Sequence, residues 1–199
     1  MHGLVNRSIQ CFLRDTYGAA VWGRIARNAD LASDNFEPLM SYEPMLTTAV
    51  LQSAVSALQR PLETVLEDLG TYLVSSATLQ APRRLLRFGG ISFYDFLHSL
   101  EDLPERGRLA LPDLALPQMR LADLGEDRFT LFVGAMFPGV GHVVVGVLRA
   151  MADDYGALVL LDHVGHETGG ADSHEQIAIH LLDQQFSEGR QFDLAQPGA

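Results

Sequence analysis

The sequence predicts an α+β domain, with a helical lobe packed on an antiparallel sheet. Two observations carry this expectation. Before Pro104 the apolar residues recur at helical spacing, and after it they shift to alternate positions. The helices also come first and the strands last, rather than alternating as they would around a parallel sheet.

Leu4, Val5, Ile9, Phe12 and Leu13 share one helical face, and Tyr17-Gly18 ends that helix. Residues 19–29, with Trp22 and Ile25 inward, form a second. Residues 30–45 read as irregular, because Asp34, Asn35, Pro38 and Pro44 break regular structure. Residues 47–58 and 62–74 follow as amphipathic helices, with Pro61 near the first turn of the latter. Ser92 is a natural N-cap for the helix carrying Phe93, Phe96, Leu97 and Leu100. Pro104 then stops that helix, since it has no N–H to give to the ladder. Phe129, Leu131, Val133, Ala135 and Phe137 alternate as one buried strand face. Residues 140–155 return to helix. Residues 157–164 and 176–182 are strands around a turn at Gly169-Gly170-Ala171-Asp172. Residues 1–189 form one domain, and 190–199 form a disordered tail.

Composition narrows the function. The 199 residues are 47% hydrophobic with a net charge of -11, and all 14 basic side chains are arginine. An acidic surface repels nucleic acid and anionic lipid. The lack of lysine removes Schiff-base chemistry through that side chain. Cys11 is the single cysteine, so no internal disulfide forms. No stretch reaches membrane-spanning length and the N-terminus has no apolar signal core, so the expected location is cytoplasmic. Ser8, Ser53 and Cys11 have no partnered base nearby in sequence and no catalytic carboxylate pair stands out, so an enzyme is not expected. His163-Val164-Gly165-His166-Glu167, with His174 and His180, lacks the H-E-x-x-H spacing on a helix, and no metal site is assigned. These histidines are expected on the surface.

Phe96-Leu97-His98-Ser99-Leu100-Glu101-Asp102-Leu103-Pro104 resembles the F-L-x-x-L-D-x-L-H signature of the H-NOX (heme nitric oxide/oxygen-binding) family. Further likeness lies in Met1-His2-Gly3-Leu4-Val5-Asn6, in Tyr17-Gly18 with Trp22, in Leu66-Glu67-Asp68-Leu69-Gly70-Thr71-Tyr72, and in Pro117 and Gly146. The resemblance implies the H-NOX fold and a sensor acting on a partner, such as a histidine kinase or a cyclic-nucleotide or cyclic-dinucleotide enzyme. It also implies a heme, with the signature histidine as iron ligand and a Tyr-x-Ser-x-Arg motif on the propionates. Here Pro104 replaces the histidine, and Val133, Ala135 and Phe137, or Phe132, Gly134 and Met136 in a register shifted by one, fall on the motif. Hydrogen bonds to a charged group contribute roughly 1.5–3 kcal/mol each, so heme is not expected as cofactor.

The former heme pocket is then expected to be wholly apolar. Its expected lining is Val5, Ile9, Leu73, Leu97, Leu100, Pro104, Pro117, Met119, Phe129, Leu131, Val133, Ala135, Phe137, Val143 and Val147. Such a pocket suits an apolar or amphipathic molecule, with long-chain fatty acid the leading candidate. Its carboxylate would meet Arg83, Arg84, Arg87, Arg120, Arg128 or His142. Two alternatives stand beside this reading. One is a heme gas sensor with a substitute iron ligand such as His98 or His142. The other is a ligand-free interaction module with a filled core.

Overall fold

The computed structural model describes residues 1–76, 85–86, 89–110, 113–167 and 173–189. Helices α1 (Gly3–Tyr17), α2 (Ala19–Asn28), α3 (Pro44–Leu58), α4 (Leu62–Ser75), α5 (Phe93–His98) and α6 (Leu103–Ala110) come first. Strands β1 (Met119–Gly125) and β2 (Arg128–Gly134), helix α7 (Val140–Tyr155), and strands β3 (Leu158–Glu167) and β4 (His174–Asp183) follow. All sheet pairings are antiparallel, in the order β1-β2-β4-β3. The α+β expectation is met.

Local chemistry explains most boundaries. Gly18, with φ at 92°, separates α1 from α2. At α5 the Ser92 hydroxyl accepts from the Asp95 amide, while the Asp95 carboxylate accepts from the Ser92 amide. The Ser92 hydroxyl also donates to the Asp95 carboxylate at 2.8 Å, and this bond, ahead of that from the Ser92 amide, holds the Asp95 carboxyl below its ordinary range. The two ends of the helical lobe are tied by buried polar pairs. Gln10 Oε1 accepts from the Phe36 amide at 2.9 Å, and Thr47 donates to Asn6 Oδ1 at 2.7 Å.

Four places differ from expectation. Pro44 does not break structure; it opens α3, at a first-turn position where an amide would lack a partner anyway. Pro104 does not stop the preceding helix, because α5 already ends at His98 and Pro104 lies in the first turn of α6. The Arg106 amide there donates to the Asp102 carbonyl at 3.0 Å, and Pro104 costs that turn no donor. Strand β2 ends at Gly134, so the alternation stops before Ala135, which is exposed. Strand β1 had no period-two signal, because its far half, Asp123 to Gly125, lies open to solvent. The turn at residues 169–172 and the 190–199 tail lie outside the described residues.

The chief contact between the helical lobe and the sheet-side helix is a crossing of α4 and α7. Gly70 and Gly146 meet there. A Cβ on Gly146 would overlap the Glu67 carbonyl oxygen, and one on Gly70 would overlap the Val143 carbonyl oxygen. Thr71 Oγ1 donates to the Gly146 carbonyl at 3.4 Å across the same junction. Only glycines let the backbones approach this closely.

Gly146→Val is expected to lower unfolding stability by about 3 kcal/mol in urea titration, because the surrounding backbone cannot yield. The Asp95 shift carries a second expectation. A carboxyl depressed in the folded state stabilises above its unfolded pKa of about 3.9, and that contribution fades as pH falls through the folded value. Asp95→Asn should therefore flatten the acid limb of the stability curve measured by circular dichroism.

Candidate functional site

Between the helical lobe and the sheet lies a chamber of about 290 Å³. This is close to the lower bound of about 300 Å³ for small-molecule pockets. Helix α1 contributes Leu4, Val5, Ser8 and Ile9, and α4 contributes Leu69 and Leu73. Leu100, Leu103 and Gly107 close one side, with Leu114, Leu116, Pro117 and Met119 leading into β1. Met136 and Phe137 enter from the loop after β2, and Val140, Val143, Val144, Val147 and Leu148 line it from α7. Leu85 and Leu86 complete the wall. Ser8 is the one hydroxyl in this set, and it donates to the Leu4 carbonyl at 2.9 Å. The wall is therefore apolar to a ligand.

The structure gathers nine of the expected lining residues here: Val5, Ile9, Leu73, Leu100, Pro117, Met119, Phe137, Val143 and Val147. Six others are placed elsewhere. Leu97, Phe129, Leu131 and Val133 are fully buried but pack within the solid core, not on the chamber. Pro104 is buried in the first turn of α6 and does not line the chamber, whereas its neighbour Leu103 does. Ala135 lies past the end of β2 and borders a second cavity instead. The residues that sequence reasoning missed are mostly leucines. Leu69 and Leu103 were visible as apolar positions, but nothing in their spacing separates cavity wall from packed core.

Among the described residues, none of the expected carboxylate anchors lines the chamber. Arg120 lies over the Phe132 ring at 4.0 Å, and Arg128 pairs with Glu126. His142 Nδ1 shares a hydrogen bond with Glu67 Oε1 at 3.3 Å. Arg83, Arg84 and Arg87 lie outside the described residues. The substitute iron ligands are not at hand either. His98 stacks on Tyr94 at 4.6 Å, and neither it nor His142 lines the chamber.

The second cavity, of about 630 Å³, shares Met136 and Phe137 with the chamber. Its polar wall is Glu63, His142, His163, Ser173 and Glu175. The His142 and His163 rings stack with centroids 4.1 Å apart, and each sits on a carboxylate. Glu67 also accepts from Arg149 at 2.9 Å. Glu175 is 3% exposed and accepts from the amides of Gly139 and Gly141, both at 3.0 Å, and from His163 Nε2 at 2.7 Å. A strand carboxylate thus caps the start of α7, where Gly139 has no side chain to do so. His163 is therefore not the surface histidine the sequence suggested; its side chain, like that of His142, is 15% exposed. Among the described residues no group of three or more His, Cys, Asp and Glu is placed to hold a metal ion.

Residues 2–163 match the model of the HNOB family, described as haem-NO-binding. The chain belongs to the haem-NO-binding, or H-NOX, family. It is 18% identical over 164 residues to soluble guanylate cyclase 89Da of Drosophila melanogaster, covering 82% of this chain and 25% of that protein. It is 22% identical over 154 residues to soluble guanylate cyclase gcy-31 of Caenorhabditis elegans, covering 77% of this chain and 22% of that protein. The chain thus spans about a quarter of these curated relatives. Among solved structures, a Cs H-NOX mutant superimposes with a TM-score of 0.77 at 12% identity, covering 94% of this chain and 100% of that one. An H-NOX protein from S. oneidensis in the Fe(II) ligation state gives 0.76 at 17% identity, covering 92% and 97%. These likenesses show the fold. H-NOX domains are sensor domains, not themselves catalytic.

These findings correct the expectation that no cofactor is involved. The family is a haem-binding one, and its solved members include Fe(II) and Fe(II)NO ligation states. The chamber wall does not fit heme held as the resemblance implies, however. Among the described residues it offers no imidazole, and no arginine or histidine for a carboxylate; its soft donors there are the Met119 and Met136 thioethers.

Glu175→Ala should destabilise the protein by about 3 kcal/mol in denaturant titration, since buried donors at Gly139, Gly141 and His163 would lose their acceptor. A mild effect, near that of an exposed residue, would contradict the capping role.

Proposed function

We propose that residues 1–189 form one sensor domain whose chamber takes an apolar or amphipathic small molecule. Long-chain aliphatic compounds are the leading class, with fatty acid as the reference compound. The observation that carries this is the chamber wall, in which Ser8 is the one side chain with a hydroxyl and that hydroxyl is already bonded. Such a wall rewards buried apolar area at about 25 cal/mol per Å² and offers little else.

Signalling follows from the placement of the wall. Ligand occupancy presses on α1 and α4 from one side and α7 from the other, so filling the chamber shifts the helical lobe against the sheet. A partner protein reads that shift. The partner class is a histidine kinase or a cyclic-nucleotide or cyclic-dinucleotide enzyme; the guanylate cyclases among the relatives favour the second. The domain itself carries no catalytic step. No helix among the described residues is long and apolar enough to cross a membrane, which accords with cytoplasmic action.

Family membership favours heme as a second reading. Heme would enter by the same apolar contacts. Addition of hemin to the purified protein separates the two: a sharp Soret band that shifts with nitric oxide supports the heme reading.

The test of the first reading is organic extraction of the purified protein followed by mass spectrometry, with titration of added fatty acid. Stoichiometric lipid or saturable binding is expected. Val143→Trp, which fills the chamber, should weaken binding by about ten-fold or more while the fold persists. No co-purifying lipid and no saturable binding would remove the proposal.

A further inference from the structure

We infer that the chamber's ligand carries an uncharged or cationic hydrogen-bond donor at its polar end, such as an alcohol or amine, and that this end sits in the second cavity. The inference rests on the ligand reading above and narrows its chemistry.

The two cavities are neighbours. Met136 and Phe137 stand in the wall of both, so a molecule with its body in the chamber can place its head next door by passing these two side chains. Met136 is unbranched and flexible, which suits a movable partition. Both residues belong to the loop between β2 and α7, outside the regular hydrogen-bond ladders.

The charge of the second cavity decides which head group enters. Glu63 lies exposed at its edge, in the first turn of α4, and Glu175 forms its buried side. Behind His142 stands Glu67, already shared with Arg149. Among the described residues neither lysine nor arginine lines this cavity. A carboxylate placed here would face like charge with no cation to offset it. A donor would find the Glu63 carboxylate and the imidazole edges. The α7 N-terminus, which attracts anions in other proteins, is taken by Glu175.

Competition against the neutral dye Nile red tests this with dodecanol, dodecylamine and dodecanoate. Dodecanol and dodecylamine are expected to displace the dye at concentrations at least about ten-fold lower than dodecanoate. Glu63→Gln should cut the advantage of dodecylamine over dodecanol. Ala135→Arg places a guanidinium at the exposed edge of the same cavity and should move the preference to dodecanoate, with thermal melting confirming the fold. Dodecanoate binding as well as dodecanol in the natural protein, or Ala135→Arg leaving the order unchanged, would overturn the inference but leave the chamber reading standing. Failure of all three compounds to displace the dye would remove the chamber reading, and the inference with it.

Discussion

The close approach of α4 and α7 at Gly70 and Gly146 sets the geometry on which the rest of the structure depends. With no Cβ at either position, one helix backbone lies against the other, and their flanking side chains are fixed in azimuth. Leu69 and Leu73 of α4, and Val143 and Val147 of α7, are thereby turned into one space. Bulk at the crossing would move the helices apart and dissolve the chamber as a defined volume. The same junction couples the lobes, because a helix held this tightly moves with its neighbour.

A second tie acts at the N-terminal end of α7. Glu175 reaches from β4 to the amides of Gly139 and Gly141, and through His163 it meets the stacked His142, which returns to α4 at Glu67. Sheet, α7 and α4 are thus joined by one run of polar contacts beside a wall that is otherwise apolar. Buried carboxylates persist where their acceptor capacity is used, and Glu175 satisfies that condition with three donors. The cluster gives the domain a polar cavity next to its apolar one.

The fold was legible in the sequence because its signals are local or periodic. Ser92 with Asp95, Gly18, and the face of α1 each declare an element through chemistry that neighbours in sequence supply. The chamber was legible only in part. Val5, Ile9, Val143 and Val147 were found through a resemblance that carries pocket positions, whereas Phe129, Leu131 and Val133 have the same apolar character and fill solid core. Periodicity tells which face is buried, not whether a void lies behind it. The Glu175 cap was hidden for a related reason: its partners lie at Gly139, Gly141 and His163, and only the pairing of β3 with β4 and the loop before α7 brings them together. Pro104 was misleading about helix ends, since a proline opens a helix as readily as it ends one.

Membership of the family and the apolar wall meet in one proposal: a ligand is held here by apolar contact within the α1–α4–α7 wall. Methyl-labelled NMR tests it most directly. Nuclear Overhauser contacts between an added long-chain alcohol and the methyl groups of Leu73, Val143 and Val147 are the expected result. Contacts confined to the exposed side of β3, around Leu160 and Val164, with the chamber methyls unperturbed, would contradict it.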